Sequence, residues 1–381
     1  MERKIAILIG FMPNPRIYKR IELEKTMGEL HLICWDRGNS MLAAPEGEGY
    51  TPHVISIPAG GDPVRRFIPY RRFFARSLKL LAGLRPDIVH VQGLDMLKIA
   101  NAYRKKHNPS AVIVYEVADL HRLLVDKQKN PLRAAVQKYL RHEDKRLEKA
   151  YDLLVLTSEK YYEVYFSGFV PREKMLYMPN VPDLSAFESY VPKSGGDFTV
   201  GYIGAVRYKK QMENLIAAGK QCGVKLLIAG YEDEPRVIEP LCAGDPNIEW
   251  VGRFDFSSRA AQLYGRCDVM YSVYNADMHN VRVALPNKLY EAVWCEMPLI
   301  VARGTYLAEL TEAWGVGYAV DHSSPDELIG LINALKSGEK GRDIPENCRR
   351  IKPGIDLAKN NENLRSRLEA AMSKKGNLTN G

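Results

Sequence analysis

Two stretches in the second half of the chain gather residue types that bind a diphosphate and a ribose. The first is Gly201-Tyr-Ile-Gly204-Ala-Val-Arg207-Tyr-Lys209-Lys210. An apolar run ends at Gly204, where a missing side chain lets a ligand approach the backbone, and Arg207 and Lys210 follow in the turn. Closely spaced cations before a helix supply point charge, forked hydrogen bonding and free N–H groups, which a diphosphate requires. The bland alternative is an exposed basic turn. The second stretch is Leu285-Pro286-Asn287-Lys288-Leu289-Tyr290-Glu291-Ala292-Val293. Pro286 suits the first turn of a helix, and Lys288 and Glu291, three apart, share a face. A carboxylate there can accept from both hydroxyls of a ribose while the ammonium reaches phosphate. A surface ion pair would be worth little, but Ala292, Val293 and Cys295 point to a buried helix instead.

Such residues need strands that end beside them. In the first half, apolar runs at Lys4–Ile9, Leu30–Cys34, Val54–Ile57, Ile88–Val91, Val112–Tyr115 and Leu153–Thr157 alternate with helical stretches. After a Pro-, Ser- and Gly-rich break at Tyr190–Asp197 the pattern restarts. Its strands are Phe198–Ile203, Lys225–Ala229, Ile248–Val251, Val269–Ser272 and Leu299–Val301, and its helices include Met212–Gln221 and Asn287–Cys295. Runs apolar throughout, rather than alternating, belong to parallel sheets covered on both faces. The chain is therefore expected to be α/β, with two doubly wound domains facing each other across a cleft, residues 1–190 and 198–354. A final helix over 355–372 carries Leu364, Leu368 and Met372 at helical spacing and is expected to pack back on the first domain.

At 381 residues two domains are comfortable, and 46% hydrophobic with 26% charged residues is the balance of a soluble globular protein. No apolar run is long enough to span a bilayer, and Ile5–Ile9 is too short for a signal peptide core, so a cytoplasmic protein is expected. Six scattered cysteines without a Cys-x-x-Cys predict reduced structural thiols. The net charge of +8 leaves nucleic acid, anionic lipid and phosphorylated small molecules as partners.

The order of several pieces resembles glycosyltransferase family 4 and its GT-B fold. They are Gly204…Arg207…Lys210, the strand end Ala229-Gly230, Asn247-Ile-Glu-Trp-Val-Gly252, Cys267-Asp268-Val269 and Pro286-Asn-Lys-Leu-Tyr-Glu291. Asn14-Pro15-Arg16-Ile17, Arg85-Pro86-Asp87-Ile-Val-His90, Leu156-Thr-Ser-Glu159 and Met178-Pro-Asn-Val181 fit more loosely. The resemblance implies a hexosyltransferase-type enzyme that moves a sugar from a nucleotide diphosphate donor to a glycan or lipid-linked acceptor in cell-surface polysaccharide synthesis. Arg207 and Lys210 would hold the diphosphate and stabilise it as it leaves, and Glu291 would bind the ribose. Gly204, Asn280, Asn287 and Lys288 would complete the donor site. Metal independence and retention of configuration are implied as well, with no cofactor; no Asp-x-Asp pair occurs. The acidic triplet Glu232-Asp233-Glu234 reads as a solvated turn.

Two departures stand out. The family's further Glu, eight residues before the ribose-binding one, is replaced by Val283, so His279, Asn280 or backbone N–H groups must meet the sugar. Where relatives place a His after a first-domain strand, this chain has Ala118, leaving Asp119 and His121 as acceptor-side catalytic candidates or as ordinary capping and surface residues. The segment Arg65–Arg76 interleaves arginines with Phe67, Tyr70, Phe73 and Phe74, and a second basic stretch runs from Lys127 to Lys145. Docking on an anionic membrane at the inner face of the cell is expected from the first, with the alternative that its apolar residues face the core. A GT-B epimerase would need acid/base carboxylate pairs in the cleft. A nicotinamide enzyme would need Gly-x-Gly-x-x-Gly where Gly10-Phe-Met-Pro-Asn-Pro stands. A nucleic-acid-binding protein would have no use for the Arg207, Lys210 and Glu291 set; no nucleic acid partner is expected.

Overall fold

The computed structural model describes residues 3–38, 44–60, 65–232 and 236–379. They divide into two compact units, residues 1–179 with 358–381, and residues 180–357. The first unit holds strands β1 Lys4–Ile9, β2 Glu29–Asp36, β3 Thr51–Ser56, β4 Ile88–Gln92, β5 Val112–Val117, β6 Leu153–Leu156 and β7 Met175–Tyr177. Its helices are α1 Pro15–Glu24, α2 Phe67–Leu84, α3 Leu94–Lys106, α4 Arg122–Val125, α5 Pro131–Arg146 and α6 Glu159–Val164. The second holds β8 Thr199–Ile203, β9 Lys225–Ala229, β10 Ile248–Gly252, β11 Val269–Ser272, β12 Leu299–Ala302 and β13 Gly317–Val320. Its helices are α7 Lys209–Cys222, α8 Ile238–Cys242, α9 Phe256–Tyr264, α10 His279–Val283, α11 Lys288–Trp294, α12 Tyr306–Trp314, α13 Asp326–Lys336 and α14 Ile344–Ile351. The last helix is α15, Leu357–Thr379.

Both sheets are parallel and doubly wound, in the orders β3-β2-β1-β4-β5-β6-β7 and β10-β9-β8-β11-β12-β13. In each, strand order reverses beside the first strand of the unit, and ligands of such sheets bind at the carboxyl ends there. In the second sheet that point lies between β8 and β11, so the segments after Ile203 and Ser272 border it.

The chain leaves the first unit earlier than Tyr190–Asp197. Val181 and Phe187 are buried in the core of the second unit, and the Tyr190 hydroxyl donates to the Cys295 carbonyl at 2.9 Å. Apolar anchors three to six residues apart outweigh the loop-like composition that follows them. Helix α15 places Leu364 and Leu368 in the first unit's core beside Ile5, Leu153 and Met178, and Arg365 donates to Thr26 at 2.8 Å.

In the segment after Arg65, α2 buries Phe73, Ser77 and Leu81, and Phe73 stacks on Trp35 at 4.8 Å. Its other side exposes Phe67, Ile68, Arg71, Arg72, Arg76 and Lys79. The reading in which apolar residues face the core thus holds for Phe73, while Phe67 stays at the surface. Among the described residues no helix is long and apolar enough to cross a membrane.

One buried acid opposes the folded state. Asp144 is 0% exposed on α5, and among the described residues neither carboxylate oxygen finds a hydrogen-bond partner. Burial pushes its carboxyl up to about 6 from 3.8, with the nearby Tyr165 hydroxyl opposing the rise. A folded value above the unfolded one means that stability is greatest below the unfolded value and is lost as pH rises through 6. Asp144→Asn, uncharged at every pH, is expected to gain about 2 kcal/mol on the wild type at pH 8 and about half of that at pH 5. Melting curves at the two pH values measure this, and an equal difference at both would contradict it.

Candidate active site

The carboxyl edge of the second sheet is stripped of side chains where it matters. Gly204, Gly230 and Gly252 end β8, β9 and β10, tied together by Gly204 N–H to Ala229 and Gly230 N–H to Gly252, both 2.8 Å. At Gly230 a Cβ would lie 1.9 Å from the Gly204 carbonyl oxygen, so only glycine fits. Gly204 adopts φ +150°, and the nearest side-chain atom to a Cβ placed there would be Lys288 Cε at 3.7 Å. The backbone of Gly204 therefore looks across a gap at the Lys288 side chain.

Helix α7 starts at Lys209, three residues earlier than the apolar periodicity suggests, so Lys209 and Lys210 occupy its first turn, with no acid there. Cations at a helix N-terminus oppose the macrodipole. Placing them at the switch point gives a local cost that anion binding would offset. Arg207 and Lys210 are exposed. Lys209 instead pairs with Glu232 at 3.3 Å. Glu232 is buried and accepts from the N–H groups of Val237, Ile238 and Glu239, capping α8. It is a structural cap, not a solvated turn; Asp233 and Glu234 lie outside the described residues.

Glu291 is 2% exposed. Its Oε2 accepts from both the Tyr264 hydroxyl and the Lys288 ammonium, while Lys288 also reaches the Tyr264 hydroxyl at 3.1 Å. Oε1 accepts no bond among the described residues. Burial and the Glu291 charge push the Tyr264 phenol far above its ordinary value, so it remains a donor. Tyr264 is held by Phe187, edge-on at 5.1 Å. Helix α11 begins at Lys288, with Pro286 just outside it rather than in its first turn. Asn287 Oδ1 accepts from Asn180, which fixes the residue before the helix.

The segment after β11, which holds His279 and Asn280, contains the short helix α10. Asn280 Oδ1 is buried without a hydrogen-bond partner among the described residues. His279 Nδ1 lies 3.3 Å from Arg282. Val283 is buried, an environment that a carboxylate would not tolerate unpaired. Among the described residues no group of three or more His, Cys, Asp or Glu is placed to hold a metal ion.

In the first unit, Asn14 caps α1 by accepting from Arg16 and Ile17 N–H at 3.1 and 3.2 Å. Arg16, in the first helical turn, meets Asp119 at 3.9 Å, where Asp119 is 68% exposed. His121 Nδ1 accepts from Leu123 N–H at 3.2 Å and so caps α4. Beneath them lies a buried network: Arg20 Nε to Glu116 at 2.8 Å, His90 Nε2 to Glu116 at 3.1 Å, and His90 Nδ1 to Glu24. Burial alone would lower the His90 imidazole, but Glu24 and Glu116 raise it to about 9. Burial would raise Glu116, but Arg20 and His90 hold it well below the carboxylate range.

A cavity of 740 Å³ is lined by Lys193, Thr199, Lys225, Pro246 and Arg266 at the amino ends of β8 to β10. It lies at the wrong edge of the sheet for the residues above.

Residues 183–369 match the family model for glycosyl transferases group 1, a span that contains every candidate donor-site residue from Gly204 to Glu291. The succinoglycan biosynthesis protein ExoL of Rhizobium meliloti (strain 1021) is 23% identical over 368 residues, covering 92% of this chain and 89% of ExoL. Sucrose-phosphate synthase from Thermosynechococcus elongatus superposes with a TM-score of 0.73 at 17% identity, over 97% of this chain and all (100%) of that one. HepE of Anabaena, solved with UDP, gives a TM-score of 0.71 at 14% identity, over 96% and 100%; its UDP-glucose complex gives 0.69 at 15% identity, over 97% and 100%. The fold is GT-B, and residues 183–369 of the chain match the group 1 glycosyl transferases.

Proposed function

We propose that this glycosyltransferase takes its sugar from a nucleotide diphosphate donor held at the carboxyl edge of the second sheet. The acceptor would be a glycan or lipid-linked glycan in cell-surface polysaccharide synthesis. The observation that carries this reading is the hydrogen-bonded set of Glu291, Lys288 and Tyr264, whose Lys288 side chain faces the bare backbone of Gly204 ahead of the cationic first turn of α7. ExoL, a polysaccharide biosynthesis protein, and HepE, solved with UDP-glucose, support the two halves of it.

In this reading Arg207 and Lys210 bind the diphosphate and stabilise the charge that grows on it as the glycosidic bond breaks. Glu291 Oε1 accepts from the ribose diol while Tyr264 and Lys288 hold the carboxylate in place. Asn287 fixes the start of α11, and Asn280, with its buried unpaired oxygen, faces the sugar's hydroxyls. No cofactor or metal is assigned, since the protein's own cations neutralise the leaving diphosphate. The leaving phosphate itself takes the acceptor's proton on the departing face, which retains configuration. Arg16 with Asp119 sits on the acceptor side. His121, which caps α4, sits on the acceptor side as well.

Glu291→Ala is expected to weaken binding of the donor nucleotide about 10- to 100-fold, the worth of hydrogen bonds to a charged group. A 2′,3′-dideoxy nucleotide, lacking the diol, is expected to bind wild type and variant alike. Calorimetric titration of both nucleotides measures this; equal losses for both would sink the ribose role. Turnover in excess EDTA is expected to match turnover without it, and loss restored by Mg²⁺ or Mn²⁺ would overturn the metal-free assignment.

A further inference from the structure

The chain's positive charge is concentrated on one part of the first unit. Residues 65–85 and 127–149 carry fifteen Lys and Arg against three Asp and Glu. Their net +12 exceeds the +8 of the whole chain, so the remainder is net negative. Even those three acids are not free at the surface: Asp144 is buried, Glu143 pairs with Arg146 and Lys98, and Glu148 pairs with Lys174.

The same two segments expose apolar side chains. Among the described residues ten large hydrophobic side chains are exposed, and five fall here: Phe67, Ile68, Leu132, Val136 and Tyr139. On α5, Leu132, Val136 and Tyr139 follow at spacings of four and three, which sets them along one helical face. Asp144 is the only residue of that sixteen-residue helix that is fully buried. Exposed Arg133, Lys138, Arg141 and Lys145 flank the stripe. Helix α3 joins this helix to α2: the Tyr70 hydroxyl donates to the Asp95 carbonyl at 3.0 Å, and Lys98 lies 5.4 Å from the Tyr139 ring. Asp95 and Lys98 are three apart on α3, so the start of α2 and the middle of α5 rest on the same side of it.

We propose that α2 and α5 together form a docking surface for an anionic lipid bilayer. Leu132, Val136 and Tyr139 enter the interfacial layer with Phe67 and Ile68, and the flanking lysines and arginines engage the headgroups. Aliphatic side chains among cations suit lipid, which rewards both. A nucleic acid would gain from the cations and from stacking, but nothing from Leu132, Val136 or Ile68. A second copy would bring a like charge of the same size against this face. The surface stands apart from the donor site, which lies in the second unit, so it does not depend on the donor reading.

Sedimentation of the full chain with vesicles tests it. Wild type is expected to bind phosphatidylglycerol-containing vesicles at least about tenfold more tightly than pure phosphatidylcholine vesicles. The exposed triple change Leu132→Ser, Val136→Ser, Tyr139→Ser is expected to lose at least about tenfold of that binding. Arg71→Glu with Arg72→Glu should lose a similar factor, and the loss should grow smaller as salt rises. Melting curves of both variants confirm that they fold. Three outcomes would overturn the proposal: no preference for anionic vesicles, undiminished binding by the triple variant, or duplex or single-stranded nucleic acid bound more tightly than the vesicles.

Discussion

Replacing Arg207 and Lys210 together by alanine is expected to lower kcat/KM about 10³- to 10⁴-fold. In the proposed mechanism each cation contacts a leaving group whose charge grows in the transition state, and single donors of this kind are worth about 10²- to 10³-fold. The two losses fall short of adding because both act on one diphosphate. Most of the effect should fall on kcat, since the interaction strengthens as the bond breaks. Both side chains are exposed, so the variant should melt like the wild type. Steady-state rates with any sugar donor the enzyme accepts measure the loss, and a drop below about tenfold would remove these cations from the mechanism.

Removing the central carboxylate of the first unit's buried network should cost the most stability. Glu116→Ala leaves Arg20 and a charged His90 buried with one partner fewer, an omission worth about 3–5 kcal/mol. The network ties α1 to β4 and β5, and α1 carries Arg16 while β5 runs into Asp119. Loosening it should therefore disturb the Arg16–Asp119 pair as well. The pH dependence follows from the direction of each shift. His90, raised to about 9, contributes stability that is complete below 6.5 and lost as pH rises through 9. Glu116, held low, contributes stability present above its ordinary 4.5 and lost as pH falls below it. With Asp144 changed to Asn in both proteins to remove its own titration, urea unfolding should show a plateau between these limits for the protein that keeps Glu116, and the Glu116→Ala protein should be lower and flatter. Equal slopes in both proteins would mean that the network does not carry the titration.

Particular residues show what the amino-acid order alone could disclose. Gly204 with Arg207 and Lys210, and Lys288 with Glu291, were legible because each set is local and adjoins a strand end. The alternation of apolar runs and helices disclosed both sheets for the same reason, while the short edge strands β7 and β13 went unseen. Tyr264 was not legible: it lies 27 residues before Glu291, and an aromatic on an amphipathic helix looks like core. Arg20, Glu24 and Glu116 were equally hidden, since charges on a helix or late in a strand look solvated until the fold buries them together. The break at Tyr190–Asp197 misled because its composition is loop-like, yet Lys193 pairs with Asp268 and Tyr190 is tied to Cys295. His121, weighed as an acceptor residue or a cap, makes the cap contact.

The most direct test of the donor site needs no acceptor. Thermal stabilisation of the protein by UDP-, GDP- and ADP-linked sugars in EDTA should be read beside the Arg207→Ala, Lys210→Ala double variant. One nucleotide series should raise the melting temperature of the wild type, by mass action on the folded state, and raise that of the variant less. Stabilisation that survives intact in the variant, or none with any donor, would contradict a diphosphate site at Gly204 to Glu291.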